Sequence, residues 1–325
     1  MKVFLTGGTG FLGAHIREEL AAQGIDYVSL SRSPQSDATF VQGDLLRPET
    51  YIEHLQDCDA FIHAAGEVQH DADAADWMWN IHVGGAKAIL EAIKQSPIQR
   101  LIYLSTSGTI GVSEEEDIVA TEDSPSPFSL VKEWPYYRAK MFAEQHVLEE
   151  APEQVDVVCL NPSLFLGPND TKRSSTKSIQ LFLDDQLPLS PAGGLSFADV
   201  RDVAKTVVTA LEKGRSGERY LLSGCNLLFH DFYKKIARIS GKNPPLAPMP
   251  KKGHKIFGWF PKWKNIGESV GLDLKRSDLI LAAHYWYVDS SKAEAELGWS
   301  PRDPLRTLED TVFYMQQDHF ADFID

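Results

Sequence analysis

The first 168 residues alternate between two hydrophobic periods, and this alternation limits the fold more than any other feature of the chain. Val3-Phe4-Leu5 is a short apolar run that leads straight into TGGTGFLG, and residues 11–22 (FLGAHIREELAA) then carry apolar side chains at helical spacing. Further strand-like runs lie at 27–30, 39–41, 60–64, 101–104 and 155–160, with helical patterns over 73–95 and 136–150. Strands separated by helices cannot close hairpins, so they pair in parallel. The pattern predicts an α/β fold with a doubly wound parallel sheet. Ligands of such sheets bind beyond the carboxyl ends of the strands. The residues that follow each strand are therefore the ones to read: the turn 7–13, Ser31-Arg32, Asp44, Ala65-Gly66, the serines and threonine at 105–107, and Asn161-Pro162.

In the first of these, Gly7, Gly10 and Gly13 have the spacing G-x-x-G-x-x-G. The first glycine permits a tight turn out of the strand, the second lets backbone approach a pyrophosphate, and the third lets the helix pack close to the sheet. The helix begins with N–H groups that lack intrahelical acceptors and attract phosphate. The strand before and the helix after supply the context that a bare glycine pattern lacks. The turn is expected to hold a nicotinamide dinucleotide. NAD enzymes usually carry an acid at the end of the second strand to hold the ribose 2′-hydroxyl. Here that place is Ser31-Arg32-Ser33, and Asp26 lies at the other end of the strand. A guanidinium pairs with phosphate through two bonds, so Arg32 favours NADP(H), with NAD as the alternative.

WPYYRAK places Tyr136 four residues before Lys140, on one face of a helix. A phenol titrates near pH 10, and a nearby ammonium is expected to lower that value and make tyrosine a usable proton donor and acceptor. Ser107, just past the fifth strand in YLSTSGTIG, would bind the substrate oxygen, with Ser105 and Thr106 as rivals in the same loop.

The net charge of −14 gives no electrostatic reason to bind nucleic acid or an anionic membrane. No run approaches the roughly 18 apolar residues of a membrane helix, and the N-terminus lacks the apolar stretch of a signal peptide, so a cytoplasmic location is expected. Cys58, Cys159 and Cys225 have no metal-ligand spacing and read as small hydrophobes; no metal is expected.

Together these segments resemble the extended short-chain dehydrogenase/reductases, the NAD-dependent epimerase/dehydratase family, and within it the dihydroflavonol 4-reductase-like group. The resemblance rests on TGGTGFLG, His63-Ala64-Ala65-Gly66, the serine loop, Tyr136-x-x-x-Lys140, NPSLFLGP at 161–168, Gly43-Asp44-Leu45, the segment DVRDVA at 199–204 and LGWSP at 297–301. It implies a Rossmann-type fold with a smaller C-terminal substrate-binding part. The dinucleotide part would comprise residues 1–168 and about 196–224, and the substrate part about 169–195 and 225–325. It also implies catalysis by Ser107, Tyr136 and Lys140, with Lys140 on the nicotinamide ribose as well. By the same resemblance Gly7, Thr9, Gly10, Phe11, Leu12 and Gly13 hold the cofactor with Arg32. Asp44 and Leu45 run along its adenine, and Ala64, Ala65, Gly66, Pro162 and Ser163 complete the cleft. A homodimer through the helices at 73–95 and 136–150 is implied too. One departure is His82, which stands where the family carries an asparagine in N-V-x-G-T. It either makes the same backbone or water contacts, the favoured view, or joins a proton relay from Lys140 and titrates near neutrality.

The expected activity is NADP(H)-dependent reduction of a carbonyl, or oxidation of a secondary alcohol, in a small apolar substrate. The alternatives are a sugar-nucleotide epimerase or dehydratase with tightly held NAD, and a non-catalytic dinucleotide sensor. Phe128, Trp134, Phe165 and the loop at 169–195 are expected to line the substrate pocket. The basic, aromatic stretch HKIFGWFPKWK (254–264) reads as a snorkelled, partly packed helix cover, the alternative being a gate for an apolar substrate or a contact with lipid, and residues 273–287 read as an amphipathic helix.

Overall fold

The computed structural model describes residues 1–250 and 276–321. The stretch 254–264 and the start of 273–287 therefore lie outside the described residues. The chain runs β1 (Lys2–Thr6), α1 (Phe11–Ala22), β2 (Asp26–Ser31), β3 (Phe40–Gln42) and β4 (Ala60–His63). It continues through α2 (Ala75–Trp79), α3 (Gly85–Lys94), β5 (Arg100–Leu104), α4 (Phe128–Val131), α5 (Pro135–Glu150), β6 (Asp156–Pro162) and β7 (Leu164–Leu166). Then follow α6 (Lys177–Leu183), β8 (Gly194–Asp199), α7 (Val200–Thr209), β9 (Glu218–Leu222), β10 (Cys225–Leu228) and α8 (Phe229–Ser240). The last described helices are α9 (Arg276–Leu281), α10 (Ser291–Leu297) and α11 (Pro304–Ala321).

The main sheet has seven parallel strands in the order β3-β2-β1-β4-β5-β6-β9. Its strand order reverses between β1 and β4, which fixes the crevice where a doubly wound sheet takes its ligand. The central strands are short apolar runs because both faces are covered. One face packs Phe4, Phe61, Leu101 and Val157 against α3 and α5, and the other packs Val3, Leu5, Ile62 and Leu160 against α1, α7 and α10. A second sheet of three strands, β10-β8-β7, packs with α6, α8 and α11 around Phe182, Phe197, Phe232 and Leu308.

The helical pattern over 73–95 forms one rod, but residues Asn80–Gly84 make a π turn between α2 and α3. Such turns widen a helix locally and frequently mark functional sites. This one carries His82. The amphipathic helix expected over 273–287 is not continuous. Helix α9 stops at Leu281, and Tyr285, Tyr287 and Val288 run extended, pairing with Ser113, Gly194 and Ala120. Their aromatic and β-branched side chains suit a strand better than a helix.

Asp199 joins the two sheets' layers. It caps α7 by accepting the Arg201 N–H at 2.9 Å, and its carboxylate accepts the Arg201 side chain at 2.8 and 2.7 Å and the Thr307 hydroxyl at 3.0 Å. Arg201 also donates to Asp310 at 2.7 Å, so α11 is fastened to α7. Burial alone would raise the Asp199 carboxyl, but the bonds from Arg201 and the charges of Arg201 and Arg302 hold it below its ordinary value. Truncation would strand the buried Thr307 donor and leave the half-buried Arg201 with Asp310 alone. Asp199→Ala should therefore cost about 1.5–3 kcal/mol, read as a lower urea midpoint. An unchanged midpoint would mean the clasp contributes nothing.

Candidate active site

The glycine-rich turn has the geometry its spacing predicts. Gly7 has φ +82°, and a Cβ there would lie 2.5 Å from the Ala64 carbonyl carbon, so both its conformation and its contact with the segment after β4 exclude a side chain. A Cβ on Gly13 would come within 2.0 Å of the Gly7 carbonyl oxygen, so α1 can start this close to the sheet only with glycine. At Gly10 the Cβ would meet nothing nearer than the Gly7 oxygen at 3.2 Å. That contact is tight but less severe than those at Gly7 and Gly13, and a pyrophosphate approaching the backbone would add to the demand for glycine there. Thr9 is exposed, Leu12 is buried, and Phe11 is half-buried with its ring 5.6 Å from that of Phe165. The turn fits a dinucleotide pyrophosphate.

At the carboxyl end of β2, the exposed guanidinium of Arg32 follows the strand directly. The Ser31 hydroxyl donates to the Ser33 carbonyl at 2.8 Å, so one of the two hydroxyls expected beside Arg32 is already engaged. Asp44 is half-buried and accepts the Leu46 N–H at 3.0 Å, while the Leu45 side chain turns into the core.

Helix α5 begins with Pro135 in its first turn, where a missing N–H costs nothing, and aims Tyr136 and Lys140 inward. Both are buried. Lys140 Nζ donates to the Leu104 carbonyl at 2.6 Å and sits 5.3 Å over the Tyr103 ring. That ring stacks on His63, which shares a 2.8 Å hydrogen bond with Thr6. A row of polar and aromatic groups thus crosses β1, β4 and β5 beneath the site. Burial lowers Lys140 to about 8, against the opposing influence of Cys159 and Glu144.

Tyr136 departs from expectation. Burial pushes its phenol up to about 12, and a hydrogen bond from Thr106 is what pulls the other way. The Lys140 ammonium directs its charge to the Leu104 oxygen and the Tyr103 face, and the expected lowering by that charge is not a property of the protein alone.

Ser107 opens the tight turn Ser107–Thr109 and is buried. Its rivals are occupied: the Ser105 hydroxyl donates to Glu144, and Thr106 caps the turn by accepting the Gly108 N–H at 3.3 Å. Pro162, the last residue of β6, and Ser163 just beyond it are buried, with the Ser163 hydroxyl on the Leu222 carbonyl at 3.1 Å.

Glu144 is the residue that sequence reasoning passed over. It lies one turn beyond Lys140, is buried, and accepts from Ser105, from Thr109 at 2.9 Å and from Asn161 at 2.7 Å. Arg219 approaches its other oxygen at 3.5 Å. Its position one turn after Lys140 in YYRAKMFAE was the available signal, an acid on the same helix face.

His82 donates from Nε2 to the Glu67 carbonyl at 2.8 Å, while buried Nδ1 has no hydrogen-bond partner. Burial first and the Lys140 charge second lower it to about 3. It is therefore neutral through the physiological range, with a backbone contact and without the near-neutral titration that a relay would show. The ring fits because Gly66 has no side chain; a Cβ there would come within 2.7 Å of His82.

On the substrate side, Trp134 is buried with Val131 and Trp286, beside Tyr137 and Leu281, whereas Phe128 is exposed and packs on Phe142 rather than inward. Phe165 contacts Phe11. In the polar loop at 169–178 the buried Asp170 carboxylate accepts from the Ser174, Ser175 and Thr176 N–H groups at 2.8–3.0 Å and fixes the chain path.

A family model described as "NAD dependent epimerase/dehydratase family" matches residues 3–223. The chain belongs to this family. It is an NAD(P)-dependent oxidoreductase of the extended short-chain type. It is 30% identical, over 96% of its length and 94% of the relative's, to a putative dihydroflavonol 4-reductase of Synechocystis. Petunia hybrida cinnamoyl-CoA reductase 1 is 26% identical over 77% of this chain and 79% of that one. Among solved structures, gox2253 superposes with a TM-score of 0.81 at 26% identity, covering 97% of this chain and 98% of its own.

Glu144→Gln keeps an acceptor but removes the charge that strengthens three hydrogen bonds. It should cost about 1.5–3 kcal/mol of stability, measured by denaturant unfolding. It should also move the Lys140 titration below about 8, because the carboxylate no longer favours the ammonium. An alkaline titration that stays in place would show that Glu144 and Lys140 are uncoupled.

Proposed function

We propose that this protein is an NADP(H)-dependent oxidoreductase that reduces a carbonyl, or oxidises a secondary alcohol, of a small apolar substrate. The observation that carries this reading is the convergence of α5 and the loop after β5. Tyr136 is buried with its hydroxyl bound by Thr106, the neighbour of Ser107, and Lys140 one turn on is held by the Leu104 carbonyl. Ser107 binds the reacting oxygen, Tyr136 gives or takes its proton, and Lys140 holds the cofactor ribose and maintains positive charge in the site. The cofactor lies on Gly7, Thr9, Gly10, Phe11, Leu12 and Gly13, with Arg32, Asp44 and Leu45 at its adenosine end and Ala64, Ala65, Gly66, Pro162 and Ser163 along the remainder. The nicotinamide supplies or accepts the hydride.

A phenol near 12 is protonated at neutral pH, so the resting site is set to donate a proton, as carbonyl reduction requires. Tyr137 and Trp286, with ring centroids 4.9 Å apart beside Tyr136, offer an apolar aromatic wall. A ring-bearing or acyl carbonyl compound suits that wall better than a nucleotide sugar, and relatives named for dihydroflavonol and cinnamoyl-CoA reduction support the same class. Tyr136→Phe should lower turnover by about 10²–10⁴-fold while the NADPH dissociation constant, read by cofactor fluorescence, stays within about threefold. A carbonyl panel followed by NADPH absorbance is the assay. Normal turnover in the variant would remove Tyr136 from the chemistry, and tightly bound NAD in the purified protein would favour an epimerase.

The proposal extends to a homodimer through the face of α2 and α5. Trp79 of α2 and Phe142 of α5, with Phe128 of the neighbouring α4, are exposed and meet in a row by tilted and edge-on contacts, with centroids 5.3 and 6.1 Å apart. Exposed aromatics in contact with one another are enriched at interfaces. Phe142→Glu should convert a dimer to a monomer in size-exclusion chromatography with light scattering, and an unchanged mass would exclude this face.

A further inference from the structure

Arg32 is not alone at the adenosine end. Its NH2 lies 3.7 Å from the Glu67 carboxylate, across the end of β1, since β2 and β4 flank that strand. Glu67 is no loose surface acid. Its second carboxylate oxygen accepts the Trp77 indole N–H at 2.9 Å, and its backbone carbonyl accepts His82 Nε2 at 2.8 Å. Two neutral donors therefore set the acid in place without neutralising it, and the arginine is the only cation paired with it among the described residues. The side chains are 65% and 40% exposed, so the contact is open to exchange.

We propose that Glu67 is a cofactor-selecting residue that works against Arg32. The inference rests on the reading of Arg32 as the 2′-phosphate residue. A 2′-phosphate and the Glu67 carboxylate compete for one guanidinium, so binding the phosphorylated cofactor requires the existing pair to open. Glu67 also repels the 2′-phosphate directly. A ribose 2′-hydroxyl meets neither penalty, and the fixed carboxylate is available as its acceptor, the role an acid at the end of the second strand plays in NAD enzymes. Arg32 and Glu67 thus pull selectivity in opposite directions from the two sides of the crevice. The protein should discriminate between the two cofactors less sharply than Arg32 alone would dictate.

An exposed ion pair of this kind is weak, so the expected effect is modest and measurable. Calorimetric titration with 2′,5′-ADP and with 5′-AMP isolates the subsite from the nicotinamide and from turnover. Glu67→Gln preserves the acceptor for Trp77 and should raise the ratio of 2′,5′-ADP affinity to 5′-AMP affinity by about two- to fivefold. The NADPH to NADH ratio of dissociation constants should move the same way. In an Arg32→Ala background the effect of Glu67→Gln should shrink, because part of it passes through the pair. If Arg32→Ala removes the preference for 2′,5′-ADP but Glu67→Gln leaves it unchanged, the role of Glu67 is overturned and that of Arg32 stands. If Arg32→Ala leaves the preference unchanged, both readings fall.

Discussion

The buried carboxylate of Glu144 is the contact on which the site's geometry depends. It stands on the helix that carries Tyr136 and Lys140, and it accepts from both ends of the loop that carries Ser107 and from Asn161 at the end of β6. Asn161 in turn donates to Thr109 at 3.1 Å and to the Thr106 carbonyl at 3.3 Å, so α5, the serine loop and β6 share one buried hydrogen-bond network. A buried charge is tolerated only when several hydrogen bonds satisfy it, and those bonds then fix the elements that supply them. Lys140 works the same way from one turn earlier, seizing the Leu104 carbonyl at the strand end. Helix, serine loop and post-β6 segment become one unit, while the glycine-rich turn is fixed separately by backbone packed against Gly7 and Gly13.

What the sequence reveals follows from how local each determinant is. The parallel strands of the first half are short apolar runs bounded by turns, and the glycine spacing encodes a steric requirement within seven residues; both are visible without knowing the fold. Strands β7, β8 and β10 are harder to see. They form a small sheet in which one pair is parallel and the other antiparallel, and their burial comes from α6, α8 and α11, distant in sequence. Residues 285–287 read as helix from the sequence for a similar reason: the partners of this extended segment are Ser113, Ala120 and Gly194. Glu144 and Glu67 belong to the same class. Each looks like an ordinary acid on or near a helix until the fold brings Ser105, Asn161 or Arg32 to it.

The tyrosine shows how residue types can be read correctly and their electrostatics incorrectly. Spacing places Tyr136 and Lys140 on one helical face, and from that alone the ammonium should acidify the phenol. The fold instead gives the ammonium a carbonyl and an aromatic face, and buries the phenol so that desolvation dominates. The two titrations are thereby pushed apart, Lys140 down to about 8 and Tyr136 up to about 12. Below about pH 8 the site holds a charged lysine and a neutral phenol, the protonation states that suit giving a proton to a substrate oxygen. On the proposed reading, the reverse direction needs the phenol to part with its proton. Among the described residues the Thr106 hydrogen bond lowers Tyr136 but is outweighed by burial, and the positive charge of an oxidised nicotinamide would add to that lowering. On that reading the charge of the cofactor in the cleft would set how readily Tyr136 gives up its proton, while the protein by itself holds the phenol in its protonated form.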